Sequence, residues 1–264
     1  MKTWNVEFLK PSTTKVRRAL IVLNQPFSFA LLHRLWRSSE WHCCADGGAN
    51  RLYDLLDNTQ RLLYLPHLIK GDLDSLRDDV AEYYGAKGVH IVHDRDQNST
   101  DLMKSVVSLE QRERLEGGLG TYELLILGGL TGRLDQTFHT LSVLHKLRKT
   151  RDKAFAVTDD NVGWVLDSGE HMIKIDHSRL GKTCGLLPVG IESTVLTTSG
   201  LEWNLCMDTS YPCPLTRVES LAADSLSSID GLVSTSNHLV PGQNVWIKTT
   251  KPIWWTVELG QILD

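Results

Sequence analysis

Short apolar runs recur along the first 160 residues, separated by stretches in which apolar positions return every three or four residues. The runs ALIVLN (19–24), WHCCAD (41–46), LPHLIKGD (65–72), HIVHD (90–94), ELLILGG (123–129) and AFAVT (154–158) are too short for helices. Their continuous apolar character suits strands buried on both faces of a parallel sheet. Helical spacing joins Phe29, Leu32, Leu35 and Trp36, and again Leu52, Leu55 and Leu56 after Asn50. It returns after Ser99-Thr100 with Leu102, Met103, Val106, Val107 and Leu109, and after Arg133 with Leu134, Phe138, Leu141, Leu144 and Leu147. This alternation predicts an α/β domain with a doubly wound, mostly parallel, Rossmann-like sheet.

Near residue 160 the pattern changes. Helix signals fade, and HMIKID, GKTCGLLPVG, STVLTTSG, DGLVSTSN, QNVWIKTT and IWWTVEL read as strands split by Gly, Pro, Ser and Thr. In the last of these, Ile253, Trp255, Val257 and Leu259 alternate with Trp254, Thr256 and Glu258, as in an antiparallel strand with one buried face. The chain therefore divides into an α/β domain over 1–160 and an all-β sandwich or jelly-roll domain over 161–264. The polar stretch 207–229, with two prolines, reads as a long loop.

Composition narrows the function classes. The 264 residues are 41% apolar and 23% charged, ordinary for a globular chain. A net charge of −4 and the lack of a Lys/Arg-rich run argue against nucleic acid as partner. No apolar stretch approaches the roughly 20 residues of a membrane span, and the first residues carry no apolar signal region. Five cysteines without C-x-x-C spacing suit reduced thiols in a cytoplasmic protein rather than a zinc site.

The chemistry concentrates where the early strands end. Five aspartates, Asp46, Asp72, Asp74, Asp101 and Asp135, lie in ADGGANRLYD (45–54), KGDLDS (70–75), QNSTDLMK (97–104) and GGLTGRLDQ (128–136). In open α/β sheets, ligands bind outside the carboxyl ends of the strands. Asp72 and Asp74, two apart in an extended segment, point the same way and can share a cation. Mg²⁺ takes one or two such carboxylates together with phosphate oxygens. The glycines of ADGGAN and GGLTGR suit close approach to a ligand, and Arg133 offers a planar fork to phosphate. Each motif also has a plain reading: a helix cap at Asp46 or Thr100, an acidic turn continuing through Asp78 and Asp79, an Arg133–Asp135 surface pair. In the second domain, Trp203 can stack on a cationic heterocycle, with Ser234, Ser236 and Asn237 as hydrogen-bonding groups. The acids alone also fit a metal-dependent phosphohydrolase or a non-catalytic nucleotide- or vitamin-binding protein.

Taken in order, ADGGANRLYD, GD-x-DS, DQ-x-x-TD, GG-x-x-GR-x-DQ, GL-x-PVG, TT-x-GL-x-WNL and VSTSN closely resemble the eukaryotic thiamine pyrophosphokinase family, from about residue 19 to the end. The resemblance implies transfer of pyrophosphate from Mg²⁺-ATP to thiamine, giving thiamine diphosphate and AMP. It also implies a homodimer with each thiamine site at the subunit interface. By matching positions it implies Asp72, Asp74 and Asp101 as metal ligands and Asp72, Asp101 and Arg133 as catalytic groups. Asp46, Thr100, Arg133, Asp135 and Gln136 fall on the ATP side, and Gln97, Trp203, Ser236 and Asn237 on the thiamine side. Lys70, before GD, is a candidate further phosphate contact.

Overall fold

The structure is a computed structural model that describes residues 1–10, 16–205 and 226–260. The chain opens with strand β1 (Lys2–Trp4). Strands and helices then alternate: β2 (Arg18–Val22), α1 (Phe29–Arg37), β3 (Trp41–Ala45), α2 (Gly48–Leu55), β4 (Leu68–Gly71) and α3 (Asp78–Ala86). They continue through β5 (His90–His93), α4 (Asp101–Leu115), β6 (Glu123–Leu127), α5 (Leu134–Leu147) and β7 (Ala154–Val157). Only strands follow: β8 (Asn161–Leu166), β9 (Gly169–Ile173), β10 (Leu180–Leu187), β11 (Thr194–Ser199), β12 (Leu226–Ser227), β13 (Ser234–His238), β14 (Val245–Thr249) and β15 (Ile253–Leu259).

Two compact units result. One spans Phe8–Asp159; the other takes the described residues from Asp160 onward together with Met1–Glu7. In the first, the strands run in the order β7-β6-β2-β3-β4-β5 and every pairing is parallel. From β2 the chain winds outward to β5, then returns to β6 and β7 on the other side of β2. The topological switch point therefore lies between β2 and β6, where this class of sheet opens a crevice for ligands. Strands β2 and β3 are buried throughout, as their unbroken apolar runs require. HIVHD does not behave that way: β5 is the outer strand, and its residues are exposed or half-buried.

The second unit holds two sheets. One has the order β1-β9-β14-β11-β12; in the other, β13, β10, β15 and β8 follow one another with antiparallel pairings. Trp4 of β1 stacks on Trp164 of β8 at 5.7 Å, and Trp164 meets Trp255 at 6.3 Å, so the sheets pack face to face through indole rings. Trp254 is as buried as Trp255, so β15 has no polar face at that position.

Several elements depart from the sequence reading. β1 pairs in parallel with β9, which joins the first seven residues to the second unit rather than to the α/β domain. Trp4 explains it, because its ring completes the indole stack and its Nε1–H donates to His171 Nδ1 at 3.0 Å. Asp78 and Asp79 do not continue an acidic turn; they open α3, where carboxylates favour the helix dipole. Leu226 and Ser227, within the stretch read as a loop, form β12 against β11. The part of that loop at 207–225 lies outside the described residues.

Candidate active site

Asp46 leaves β3 with a positive φ of 44°, a left-handed conformation uncommon for aspartate. The turn drives its carboxylate inward, where it is 4% exposed. It does not cap α2. Its Oδ2 accepts the Ser75 amide at 3.2 Å and its Oδ1 the Leu76 amide at 3.1 Å. Asn50, one turn into α2, completes the latch: its Nδ2 donates to the Ser75 carbonyl at 2.7 Å and its Oδ1 accepts from Arg77 N–H at 3.2 Å. The polar residues of ADGGAN thus hold the GDLDS loop in place. Gly48 serves the same end, since a Cβ there would sit 2.3 Å from the Val22 carbonyl oxygen. That glycine admits the end of β2 rather than a ligand.

The latched loop carries Asp72 and Asp74 beside Asp46. One carboxylate oxygen from each of the three lies within 4.8 Å of the others. Leu73 between the two loop acids takes φ 61°, a second strained residue, in the turn after β4. Asp74 N–H donates to Asp72 Oδ1 at 3.3 Å. Asp101 stands against this group, and its Oδ1 accepts the Asp72 amide at 3.2 Å and the Lys104 ammonium at 3.3 Å. Asp46 is pushed above the ordinary carboxylate range, first by burial and further by the Asp101 charge, while the Ser75 hydrogen bond opposes the shift. Carboxylates so close repel one another unless a cation joins them. The donors are hard oxygens, three of them convergent, a set that fits Mg²⁺. The family resemblance implied Asp72, Asp74 and Asp101 as the metal set; the tight group is Asp46, Asp72 and Asp74, with Asp101 bound to its edge.

The fifth aspartate is elsewhere. Asp135 forms a two-point pair with Arg133, Nε to Oδ1 at 3.1 Å and Nη2 to Oδ2 at 2.6 Å, both side chains well exposed. The reason is local: Arg133 is the N-cap residue of α5, and Asp135 sits in its first turn. Lys70 also differs from expectation, since its Nζ is taken by Asp94 at 2.9 Å. Gln97 and Gln136 are exposed.

Three side chains that sequence reasoning passed over hold this region. Gln25, just past β2 at the switch point, accepts from Gly129 N–H at 2.7 Å and donates to the Thr131 carbonyl at 2.6 Å, fixing the GGLTGR loop. Lys104 is 3% exposed and aimed at Asp101. His139 Nε2 lies 2.6 Å from Thr100 Oγ1. Lys104 had a readable signal, a lysine one helical turn after an aspartate at a helix start; the other two gain their roles only from tertiary contact.

In the second unit, Trp203 presents a half-exposed ring against His238, with centroids 5.0 Å apart. Asn237, expected on the thiamine side, is buried and fully engaged. Its Oδ1 accepts from Trp203 N–H at 3.2 Å and His238 N–H at 2.9 Å, and its Nδ2 donates to the Trp203 carbonyl at 2.7 Å and Ser234 Oγ at 3.4 Å. That exhausts the usual capacity of an amide, so Asn237 supports the tryptophan loop rather than a ligand. Ser236 is exposed at φ 54°, at a break in register where β13 carries one residue more than β10. Such a bulge re-aims side chains and is common beside functional sites.

Comparison with known proteins assigns the family. A sequence model described as the thiamin pyrophosphokinase catalytic domain matches residues 32–156, and one described as the thiamin pyrophosphokinase vitamin B1 binding domain matches residues 170–254. Thiamine pyrophosphokinase 1 of Arabidopsis thaliana is 34% identical over 266 residues, covering 96% of this chain and 91% of its own. Thiamine pyrophosphokinase of Saccharomyces cerevisiae is 31% identical over 287 residues, covering 91% and 85%. The crystal structure of the yeast thiamin pyrophosphokinase superposes with a TM-score of 0.80 at 28% identity, covering 98% of this chain and 91% of that one. With both halves matched in order, and relatives aligned almost end to end, the chain belongs to the thiamin pyrophosphokinase family.

Proposed function

We propose that this protein transfers the pyrophosphoryl group of ATP to the hydroxyethyl oxygen of thiamine, giving thiamine diphosphate and AMP. The observation that carries this reading is the Asp46–Asp72–Asp74 group at the carboxyl ends of β3 and β4, in a chain matched by both domains of the family. These three carboxylates, with Asp101 at their edge, would hold Mg²⁺, which when bound neutralises charge on the polyphosphate.

In the transfer, the thiamine oxygen forms a bond to the β-phosphorus while the bridge to the α-phosphate breaks, and AMP leaves with the bonding electrons. The protein contributes mainly positioning and charge. The hydroxyl proton passes to a carboxylate, and Asp72 is the better placed acceptor because one Asp101 oxygen already holds Lys104 and the Asp72 amide. Arg133 uses Nε and Nη2 on Asp135, which leaves Nη1 free for a phosphate oxygen. Asp135 thus acts as an orienting partner of Arg133 rather than as a metal ligand. In this reading Thr100, the N-cap of α4, and Gln136, in the first turn of α5, fall on the ATP side, and Gln97 on the thiamine side. The open face of Trp203 suits a flat cationic ring, and Ser236 on the β13 bulge is a candidate hydrogen-bonding group for it.

We place the protein in the cytoplasm as a homodimer with thiamine bound between subunits. The buried free thiols of Cys43, Cys44 and Cys184 favour a reducing compartment. Leu134 and Phe138 of α5, 70% and 57% exposed, offer apolar surface for subunit contact. Among the described residues no helix is long and apolar enough to cross a membrane.

The test is to incubate the protein with Mg²⁺, ATP and thiamine, follow AMP and thiamine diphosphate, and weigh the particle by sedimentation. Both products and a two-chain mass are expected. AMP or phosphate release without thiamine would mark a hydrolase instead. Asp72→Asn should lower kcat by about a hundredfold or more with folding intact; near-normal turnover would refute the role given to Asp72.

A further inference from the structure

Thr100 is asked to serve two neighbours with one oxygen. As the N-cap of α4 its Oγ1 accepts from Met103 N–H at 3.4 Å, and His139 Nε2 lies 2.6 Å from the same atom. A hydroxyl has one proton to give and two lone pairs. The Met103 amide takes one lone pair. The imidazole takes either the proton or the second lone pair, according to which ring nitrogen carries hydrogen. With Nε2 bare, the Thr100 proton is spent on His139, and an anion finds no donor there. With Nε2–H donating, both lone pairs are filled by protein and the proton is free to point at a phosphate oxygen.

His139 is half-buried in α5, six residues after Arg133, so one helix carries both groups. Burial, and after it the Lys146 charge, holds the ring below its ordinary pKa. A neutral imidazole carries a single N–H, which makes the choice of nitrogen decisive.

We propose that His139 is a positioning residue of the transfer reaction: its Nε2–H fills the last lone pair of Thr100 and turns the threonine hydroxyl into a dedicated donor to the polyphosphate. This rests on the pyrophosphoryl-transfer reading above and adds a residue that the family motifs did not supply.

The experiment compares the full-length wild type with His139→Phe, His139→Gln, Thr100→Val and the His139→Phe/Thr100→Val double variant. Steady-state kinetics are taken separately for ATP and thiamine, and each variant's folding is checked by circular dichroism. Nitrogen-15 NMR of the labelled histidines reports the tautomer with and without Mg²⁺ and α,β-methylene-ATP, which cannot be cleaved at the α–β bridge. His139→Phe and Thr100→Val should each lower kcat/KM for ATP by about tenfold to a hundredfold, the range for one hydrogen bond to a charged group, with KM for thiamine unchanged. The double variant should be no worse than Thr100→Val alone, because His139 acts only through the Thr100 hydroxyl. His139→Gln, whose amide nitrogen also donates, should restore most of the loss, and the bound wild type should show the Nε2–H form. Losses that add, no rescue by glutamine, or an Nδ1–H tautomer in the complex would overturn the proposal. A wild type that forms no AMP overturns the transfer reading itself, whereas an active wild type matched by its His139 variants overturns the role of His139 alone.

Discussion

Gly71, the last residue of β4, sits where the acid group closes. A Cβ there would come 2.7 Å from Asp46 Cβ and 3.0 Å from Asp101 Oδ1. Neither can yield freely. Asp46 is pinned by the Ser75 and Leu76 amides, and Asp101 by Lys104 and the Asp72 amide. Gly71→Ala should therefore spread the carboxylates and lower kcat by about tenfold to a thousandfold, as small misplacements of catalytic groups do. Mg²⁺ dependence measured alongside should move to higher concentration; an alanine variant with wild-type kcat and metal dependence would show that the group tolerates expansion. This residue marks the limit of what spacing alone reveals. Asp72 and Asp74 were paired in the sequence on the premise of extended chain; they do converge, but through a turn in which Leu73 takes φ 61°. Spacing did not separate Asp135 from the convergent acids, although an aspartate two residues after an arginine at a helix start pairs with it locally, whatever lies across the sheet. Lys70 pairs with Asp94, the residue just past the neighbouring strand β5.

Among elements, the inner strands β2, β3 and β6 announced themselves through unbroken apolar runs, because central strands bury both faces, whereas the outer strand β5 carries such a run with its residues exposed or half-buried. Elements whose reason is tertiary stayed hidden. β1 is three residues long and exists to bring Trp4 onto Trp164. α3 has a weak apolar stripe, with Val80 and Tyr84 as its buried residues. The apolar spacing of α5 starts at Leu134 and Phe138, yet these are exposed and burial falls on the later part of the helix, including Val143, Leu144 and Leu147. The bulge in β13 left a trace only as the polar run Ser-Thr-Ser-Asn, which states that something other than packing decides the segment. Its structural meaning lies in Asn237, whose amide joins the strand to the tryptophan loop. Asn237→Ala leaves the Trp203 amide and carbonyl and the His238 amide without their partner. The variant should lose about 2–3 kcal/mol in stability and raise KM for thiamine several-fold, with KM for ATP unchanged. Denaturant unfolding and two-substrate kinetics check both; equal effects on the two substrates would mean that the residue supports the fold at large rather than the tryptophan loop.

At the scale of the whole molecule, acid is the condition that exposes how the α/β unit is held together. His42 on β3 lies flat against Trp36, with ring centroids 3.9 Å apart and planes 3° from parallel, and its Nε2 is 3.0 Å from the Trp36 carbonyl. His67 also stacks on it, with centroids 5.3 Å apart. Burial lowers His42 to about 4, against an ordinary value of 6.5, and lowers His67 as well. Between those two values the unfolded chain binds a proton that the folded chain refuses, so stability is complete above about pH 6.5 and falls as pH drops toward 4. For His42 alone the slope approaches about 1.4 kcal/mol per pH unit, or roughly 3 kcal/mol across the window. A domain of ordinary stability holds only about 5–15 kcal/mol in all, so the loss is large. Unfolding midpoints in guanidinium chloride, measured from pH 7.5 to 4.5, should therefore decline steadily below 6.5. In His42→Gln, which keeps a side-chain donor for the Trp36 carbonyl and cannot take up the proton, the decline should flatten by about one proton's worth. Aspartates do not imitate this pattern. A carboxylate whose pKa is depressed by a partner loses its stabilisation lower in pH, near its own titration, and Asp46, shifted upward by burial, favours the folded state as acid is added. An unchanged slope in the glutamine variant would move the origin of acid lability away from His42 and onto the other histidines whose pKa partial or full burial lowers, His67, His139 and His171.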